Sequence, residues 1–363
     1  MKKLVFYISG FGFGHLTRSI ALVQELLRQR CDIHITVKCH SQHMSLVLSS
    51  FREQIESVTV LPFDLGFQIC FDAATARVDY RATLESVKSW LERLECGAEA
   101  EAAACLGAGY SLVLSDIVPE AFVIANKLAI PSIGISNFTW YELCQEYVGA
   151  ERVAGLKAMY QTGSAFFEYP LSTDAEIPIT HKLPVGLLSR SQDQSKIREL
   201  RAKYKRPGRL LLFLSIGGAL SLQNLSLSPE LDYLYTRGID LVAAENATPI
   251  PEDTLDTQNY LAACDAVITK CGWSTVAEAL IARKPLYLLT SRDGWLEEKY
   301  MLRELVGLGV SQVIEPGEQV CLETDLFAKI DTLQAAYVGI PERYTDQARK
   351  IAGMVLSSIG CNL

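Results

Sequence analysis

The stretch Thr269–Leu280 reads T-K-C-G-W-S-T-V-A-E-A-L and follows an apolar run that starts after Asp265. The run predicts a buried strand, and the recurrence of apolar residues after Gly272 predicts a helix. The start of such a helix presents unpaired backbone N–H groups and the positive end of the helix dipole, which suit a phosphate. The stretch is equally compatible with a site for the diphosphate and ribose of a nucleotide-sugar and with a plain Rossmann-like layer, in which Ser274 or Thr275 only caps the helix.

Strands and helices alternate on both sides of this stretch. Near the N-terminus, Leu4–Ser9 predicts a strand, Gly10–His15 a glycine-rich loop and Leu16–Arg28 a helix with one apolar face. A second set begins with a strand at Arg209–Ser215. Such alternation predicts parallel sheets with right-handed crossovers, and the length of 363 residues suggests two such domains.

A change in composition and the turn signal Pro207-Gly208 place the domain boundary near residue 186. We expect three regions: an N-terminal domain at 1–186, a second domain at 187–340 and a C-terminal helical region at 341–363.

Four further elements complete the expected secondary structure. We expect short strands at Ala165–Glu168, Ile177–Ile179 and Ile239–Ala243, and one C-terminal helix over Pro341–Ile359.

Charge and composition exclude several function classes. The formal net charge of −8 disfavours general binding to nucleic acid or to an anionic membrane. The N-terminal apolar run is too short for a signal peptide, and no stretch approaches the roughly 18 apolar residues of a membrane span. The ten cysteines contain no C-x-x-C pair and no zinc-type spacing, which favours a reduced, cytoplasmic chain.

The loop G-F-G-F-G-H at Gly10–His15 lies where a dinucleotide-binding fingerprint would lie, but His15 occupies the position of its third glycine. The next predicted strand, Ile33–Lys38, lacks the acidic residue that usually holds the ribose of NAD. These features disfavour NAD binding. Gly12 and Gly14 instead allow a substrate to approach the backbone closely.

His15 and Asp116 form a candidate acid–base pair. Each follows the carboxyl end of a predicted strand, the edge where open α/β sheets bind ligands. Histidine can accept a hydroxyl proton near neutral pH, and a carboxylate can orient it. Taken singly, His15 is also compatible with a capping or core histidine, and Asp116 with an N-cap of the helix at Glu120. Their shared position at strand ends favours a His–Asp pair.

Candidate donor-site residues lie in the second half of the chain. Glu278 lies where a carboxylate can accept both ribose hydroxyls, or where it simply faces solvent. Lys270 can neutralise a phosphate or point to solvent. Gly217 and Gly218 end a strand and suit either backbone donation to a phosphate or close packing. No D-x-D occurs in the chain, so we expect no metal and no other cofactor.

Aromatic residues cluster around the presumed acceptor side, where Phe13, Trp140 and the neighbouring Asn137 are candidates. Stacking on a sugar or an apolar acceptor is one interpretation. Packing in the core is the commoner fate of such side chains.

Together these residues resemble the GT-B glycosyltransferases. The tract K-C-G-W-S-T-V-A-E, Lys270–Glu278, is similar to the H-C-G-W-N-S-x-x-E donor box of the UDP-glycosyltransferases. The resemblance implies that Glu278 binds the ribose and that Trp273 lies near the nucleotide. It also places three residues near the diphosphate: Gly272, Ser274 and Thr275.

The closing D-Q-x-x-N-E-K portion of the same box is represented by Asp293 and Glu297. The resemblance implies that Asp293 touches the donor sugar. Two positions depart from the pattern: Lys270 stands where many glycosyltransferases have His, and Gly294 where the Gln that reads the sugar would be.

The glycine-rich loop that ends in His15 resembles that of the UDP-glycosyltransferases and of the MurG-type transferases. In the first group the matching His is the catalytic base, and an Asp that matches Asp116 orients it. The G-F-G-H, S-D-I-V-P, I-S-N-F-T-W and G-x-x-T-V-x-E-A-L tracts also resemble the glycosyltransferase-like region that precedes the kinase domain in plant L-arabinokinases. That likeness covers nearly the whole chain, and we expect the region to stand alone here.

The resemblance implies a GT-B fold: two Rossmann-like α/β domains with parallel sheets that face a central cleft, and a C-terminal helix that crosses back to the first domain. The leading function is metal-independent, inverting transfer of a sugar from a nucleotide-sugar, a UDP-sugar, to an acceptor hydroxyl, with His15 as base and Asp116 as its partner. The expected partners are this donor and an acceptor, with no nucleic acid. Two alternatives stay open: a sugar-nucleotide epimerase, which would need more acids and bases around the sugar, and a non-catalytic nucleotide-sugar-binding protein.

Overall fold

The computed structural model describes most of the chain, in eight ranges: 1–30, 32–70, 79–173, 177–216, 225–239, 244–290, 296–314 and 320–361. The chain divides into two compact units. The first consists of Met1–Phe11, His15–Val185 and Gln347–Leu363, and the second of Gly12–Gly14 and Gly186–Asp346.

The first unit is built on a parallel sheet of seven strands. In chain order these are β1 (Lys2–Ile8), β2 (Ile33–Cys39), β3 (Val58–Pro62), β4 (Tyr110–Asp116), β5 (Ser132–Ser136), β6 (Ala165–Glu168) and β7 (Lys182–Pro184). Their order across the sheet is β3-β2-β1-β4-β5-β6-β7. The central strands are buried almost throughout, as expected where helices cover both faces of a parallel sheet.

Helices connect these strands. They are α1 (Gly12–Gln29), α2 (Met44–Ser50), α3 (Tyr80–Cys105), α4 (Glu120–Lys127), α5 (Trp140–Val148) and α6 (Ala154–Gln161). Short 3-10 helices lie at Ser41–His43 and Arg52–Gln54.

The strand order of the first sheet reverses between β1 and β4. The chain begins in the middle of the sheet, adds β2 and β3 on one side, and then returns to place β4 on the other. Ile8 pairs with Asp116 at the carboxyl ends of these two strands. Open α/β sheets bind ligands at such a reversal, so topology alone brings the segment after β1 and the end of β4 to a potential site.

The second unit has a parallel sheet of six strands in the order β11-β10-β8-β12-β13-β14. These strands are β8 (Leu211–Ser215), β10 (Asp232–Tyr235), β11 (Ala247–Pro249), β12 (Ala266–Lys270), β13 (Leu286–Leu289) and β14 (Ser311–Ile314). A separate pair is formed by β9 (Leu225–Leu227) and β15 (Val320–Leu322). The helices are α7 (Gln194–Tyr204), α8 (Thr257–Ala263), α9 (Trp273–Ile281), α10 (Leu296–Gly307) and α11 (Ile330–Ala336), with 3-10 helices at Thr324–Phe327, Tyr337–Gly339 and Glu342–Tyr344.

This second sheet reverses its order between β8 and β12, where Ser215 pairs with Thr269. The turn from β12 into α9 therefore lies at the corresponding point of its own sheet. That turn carries Lys270 and Gly272.

The last helix, α12 (Ala348–Ser358), belongs to the first unit, so the chain returns to that unit after completing the second. It buries Ile351, Ala352 and Val355 completely. Gln29, the last residue of α1, donates a hydrogen bond to the carbonyl oxygen of Arg349 at 2.9 Å. In the described ranges, no helix combines the length and the apolarity needed to cross a membrane.

Two expected elements are placed differently by the structure. Ile177–Ile179 is not a strand; both isoleucines are buried in a core cluster with Phe122 and Tyr160, which accounts for their apolar character. The edge strand β7 instead lies at Lys182–Pro184, whose three residues are exposed.

In the second unit, the structure contains a strand that we did not expect, β10 at Asp232–Tyr235, whereas the strand expected at Ile239–Ala243 lies, apart from Ile239, outside the described residues. The first residue of β10, Asp232, is buried and paired with Arg206 and Arg209, so a charged residue concealed the strand. At the C-terminus, the single helix expected over Pro341–Ile359 is a 3-10 turn followed by α12.

Candidate functional site

His15 and Asp116 meet in the first unit. His15 lies in the first turn of α1, and its Nδ1 is 2.8 Å from Oδ1 of Asp116, the last residue of β4. Both side chains are buried, with 6% of His15 and 2% of Asp116 exposed. Residues 101 positions apart in the chain thus share one hydrogen bond at the reversal of the sheet.

The helix begins four residues earlier than its apolar periodicity indicates. We expected a loop over Gly10–His15, but α1 starts at Gly12, so His15 is helical. Gly12 has a φ of +64°, a conformation that side chains with a Cβ rarely adopt, and Phe11 before it is extended. Gly12 therefore provides the sharp turn that directs the helix away from β1.

Asp116 is ionised by its neighbours despite its burial. Burial alone would raise its pKa, but the guanidinium of Arg18 and the ring of His15 lower the pKa to about 2. Ser19 donates a further hydrogen bond to Oδ2 at 3.1 Å. Pro119 occupies the N-cap position of the helix at Glu120 and no side chain caps that helix, so Asp116 is not its N-cap.

Arg18 and Ser19 were missed by sequence reasoning. Arg18 is 3% exposed and lies one helical turn after His15, and its Nε donates to Oδ2 of Asp116 at 2.7 Å. Side chains three and four positions apart share a helix face, so the order H-x-x-R-S was the available signal.

Aromatic rings surround the imidazole of His15. The centroids of Phe138, Trp140 and Phe11 lie 5.8, 6.3 and 6.4 Å from its own centroid. Trp140 also meets Phe67 edge to face at 4.7 Å, a contact that no sequence pattern indicated. The pair therefore lies against an apolar, aromatic wall.

The segment from Ser136 to Trp140, which follows β5, supports this wall. Glu142, in the first turn of α5, accepts hydrogen bonds from the backbone N–H of Thr139 and from the hydroxyl of Thr173. Burial raises the pKa of Glu142 to about 7, although these two donors oppose the shift. The capping carboxyl is thus part of the interior of the unit.

Asn137, expected on the acceptor side, is fully buried. Its Oδ1 accepts from Nη1 of Arg18 at 3.0 Å, and its backbone carbonyl accepts from the N–H of Thr173. The structure therefore places Asn137 behind the pair, as a support of Arg18.

Two further expected acceptor-side residues belong to the short stretch Gly12–Gly14, which groups with the second unit. Phe13 is 37% exposed, and the guanidinium of Arg237 lies 4.9 Å from the centre of its ring. The carbonyl oxygen of Gly14 accepts a hydrogen bond of 2.6 Å from the hydroxyl of Ser274.

The turn from β12 into α9 has the strand–turn–helix form expected for Thr269–Leu280. Gly272 is the N-cap of α9 in extended conformation, and no side chain caps the helix. Ser274 and Thr275 are therefore not helix caps. Trp273, the first residue of the helix, is buried, with 4% exposed.

Lys270 precedes this helix at the end of β12. Burial lowers its pKa, and the carboxylates of Glu297 and Glu298 in α10 oppose that shift. The ammonium group of Lys270 is thus partly removed from water, and the carboxylates of Glu297 and Glu298 favour its charged form.

Glu278 is buried in α9 rather than solvated, with 7% exposed. It forms an ion pair with Arg190, whose Nη2 and Nε donate to Oε1 at 2.7 and 3.2 Å. Arg190 also donates to the carbonyl of Leu255 and to the hydroxyl of Thr257.

Three candidate donor residues, Gly217, Gly218 and Asp293, lie outside the described residues. Among the residues that the structure does describe, no group of three His, Cys, Asp or Glu side chains could hold a metal ion.

Comparison with known proteins gives one curated relative and many similar structures. No protein-family model matches the chain. L-arabinokinase of Arabidopsis thaliana is 28% identical over 334 residues, which cover 86% of this chain and 31% of that protein. The chain thus spans about a third of the length of this relative.

Solved structures match over almost the full length of the chain. UGT89C1 of Arabidopsis thaliana, complexed with UDP-L-rhamnose, gives a TM-score of 0.64 at 12% identity and covers 99% of each chain. UGT2 of Phytolacca americana, complexed with UDP-2-fluoro-glucose and pterostilbene, also gives 0.64 at 12% identity over 99% of this chain and 100% of that one. The spinosyn forosaminyltransferase SpnP gives 0.65 at 14% identity over 99% of both. With its two parallel-sheet units of seven and six strands, this chain has the GT-B glycosyltransferase fold.

Proposed function

We propose that this chain is an inverting glycosyltransferase that moves a sugar from a UDP-sugar to an acceptor hydroxyl. The observation that carries the proposal is the buried pair of His15 and Asp116 at the reversal of the first sheet. The GT-B fold supports it, and UGT89C1 and UGT2 were solved with UDP-sugars bound. Kinase activity is not carried over from L-arabinokinase, because the chain spans 31% of that protein.

In the proposed reaction His15 acts on an acceptor bound by the first unit. Nε2 takes the hydroxyl proton while the acceptor oxygen attacks C1 of the donor sugar, and the bond from C1 to the phosphate oxygen breaks to release UDP. One displacement from the opposite face inverts the anomeric centre. Asp116, already ionised, holds the imidazole and stabilises the imidazolium that forms.

The donor would be held by the second unit. The start of α9 faces the reversal of its sheet, and the proposed contacts are its backbone N–H groups and Lys270 with the diphosphate. Glu278 would accept the ribose hydroxyls while Arg190 keeps its carboxylate in place. Asp293 is proposed to contact the sugar, and Gly217 and Gly218 the phosphates. The proposed reaction requires no metal, because these groups would neutralise the leaving diphosphate.

The experiment combines binding with turnover. UDP and NAD are compared by thermal shift, and release of UDP from a panel of UDP-sugars is measured with phenolic and sugar acceptors. We expect UDP, but not NAD, to raise the melting temperature, and UDP release to depend on an acceptor. Product analysis by NMR should show the inverted anomer.

His15→Ala is the diagnostic variant and His181→Ala, at an exposed position, its matched control. We expect the first to lose transfer by about 100-fold or more and still bind UDP, since a general base contributes about that factor. The control should behave as wild type. Near-normal transfer by His15→Ala would refute the base assignment. Binding of UDP-sugars without UDP release would favour a non-catalytic binding protein, and an epimerised UDP-sugar would favour an epimerase.

A further inference from the structure

A buried arginine grips the carboxylate of the proposed catalytic pair. Nε of Arg18 donates to Oδ2 of Asp116 at 2.7 Å, and Nη2 donates to Oδ1. The planar guanidinium fork matches the two oxygens of a carboxylate, which fixes orientation as well as distance. Asp116 therefore cannot rotate about its side-chain bonds without breaking two charged hydrogen bonds.

The guanidinium is itself anchored to the segment after β5. Nη2 donates to Oγ of Ser136 at 2.8 Å, and Nη1 donates to Oδ1 of Asn137 at 3.0 Å. The ring of Tyr169 lies 5.5 Å from the guanidinium carbon. Arg18 thus connects Asp116 to the same segment that carries the aromatic wall around His15.

These contacts determine which nitrogen of His15 carries the proton. Nδ1 of His15 lies 2.8 Å from Oδ1 of Asp116 and 2.7 Å from Nη2 of Arg18. Nη2 has two N–H groups, and both are used, by Asp116 and by Ser136. Oδ1 of the ionised Asp116 can only accept, so Nδ1 of His15 must donate to it. In the neutral ring this leaves the lone pair on Nε2.

Arg18 also changes the charge of the site. A His–Asp pair alone contains an uncompensated carboxylate. Here Asp116 is compensated by Arg18, so the pair they form carries no net charge before His15 takes part. The carboxylate, held in place by Arg18, orients the imidazole.

We infer that Arg18 is a positioning residue that clamps Asp116 so that neutral His15 carries its proton on Nδ1 and presents Nε2 as the proton acceptor. The catalytic consequence depends on the proposed function, but the tautomer does not. The two can therefore be tested separately.

The test is NMR of the full-length protein labelled with 15N in histidine, above pH 7, with the His15 signals assigned by their loss in His15→Gln. Wild type should show the Nδ1–H tautomer of His15. Arg18→Met should produce a mixture of tautomers or the Nε2–H form, and it should lower kcat about 10- to 100-fold with little change in KM for the UDP-sugar, because correct proton transfer contributes at least that much.

Arg18→Lys and Arg28→Met complete the set. Arg18→Lys keeps the positive charge but lacks the planar fork. It therefore tests the inference even if Arg18→Met does not fold. We expect Arg18→Lys to fold and to show a mixture of His15 tautomers. Arg28 lies on the same helix with 57% of its side chain exposed, and its replacement should change neither tautomer nor kcat.

If His15 keeps only the Nδ1–H tautomer in a folded Arg18→Met or Arg18→Lys variant, the inference is wrong and the proposed function is untouched. If the tautomer shifts as expected but wild type transfers no sugar to any acceptor, the inference stands and the proposed function fails.

Discussion

Arg190 binds Glu278 through two hydrogen bonds that end on the same carboxylate oxygen, Oε1. Glu278, which we expect to bind a ligand, is thus already oriented by Arg190, a cation that lies just before α7 and 88 positions earlier in the chain. Arg190 is held in turn by the carbonyl of Leu255 and the hydroxyl of Thr257. The arrangement fixes the carboxylate at Oε1 and directs the ribose, in the proposed function, to Oε2.

Replacement of Glu278 by Ala should weaken UDP binding. Hydrogen bonds to a charged group contribute about 1.5–3 kcal/mol, so the dissociation constant should rise about 10- to 100-fold in isothermal titration. The variant also leaves Arg190 without its carboxylate, so its melting temperature should fall and binding must be measured well below it. Glu252→Ala, at an exposed position of the same unit, is the control. Unchanged affinity in Glu278→Ala would make the ion pair purely structural.

Lys270 offers a test that separates the diphosphate from the nucleoside. Its ammonium group is partly buried, and a bound diphosphate would supply a strong counter-charge. Lys270→Met should therefore raise the dissociation constant of UDP about 10-fold or more, as loss of a charged hydrogen bond predicts, and leave that of uridine unchanged. Lys299→Met, on the exposed side of α10, is the matched charge removal. Equal weakening of UDP and uridine would contradict a phosphate contact.

Strand–helix alternation is a local signal, so the sequence predicted two domains with parallel sheets, whereas the GT-B fold was implied by the resemblance of its motifs. His15 and Asp116 could be paired in advance, since both follow strands that a doubly wound sheet brings to one edge. The order H-x-x-R-S places Arg18 on the helix face of His15, but its burial was not predictable, because a charged residue in an amphipathic helix ordinarily faces solvent and its partners are four oxygen atoms from distant segments.

Glu278 shows the same limit in the second unit. Its position in the helix suggested either a ribose ligand or a solvated side chain, and neither reading included Arg190. The two residues meet only through tertiary structure. Reactive residues at strand ends can therefore be predicted from the sequence. The groups that orient them come from distant parts of the chain and cannot be predicted in the same way.

Gly134 in β5 tests how rigidly the site is supported. A Cβ at this position would lie 2.5 Å from Cδ2 of Phe166 and 2.8 Å from Cζ of Phe122. Gly134→Ala should lower the free energy of unfolding by about 1–3 kcal/mol in urea titration, because over-packing displaces both rings. It should also reduce transfer, since Ser136 follows two residues later. Gly155→Ala, in α6 with open space around the added carbon, should be neutral or stabilise by up to about 1 kcal/mol. A fully stable Gly134→Ala would show that β5 can shift.

The buried carboxyl group of Glu120 should make the stability of the first unit depend on pH. The residue begins α4 with 1% exposed, and its Oε1 accepts a hydrogen bond of 3.0 Å from Nε1 of Trp90. Burial raises its pKa from 4.5 to about 7, although its own backbone N–H and Trp90 oppose the shift. The folded state therefore keeps a proton that the unfolded state releases between pH 4.5 and 7, so stability falls as pH rises through this window and stays lower above it.

Glu120→Gln removes this titration and keeps the oxygen that accepts from Trp90. Its free energy of unfolding should match that of wild type near pH 4.5 and exceed it by up to about 3 kcal/mol at pH 8, the equivalent of the pKa shift. Glu95→Gln, exposed on α3, should differ from wild type by the same small amount at every pH. The measurement is urea unfolding at half-unit intervals between pH 4.5 and 8. If the difference between Glu120→Gln and wild type does not grow with pH, then Glu120 is ionised in the folded protein, and its contact with Trp90 would be a bond to a carboxylate.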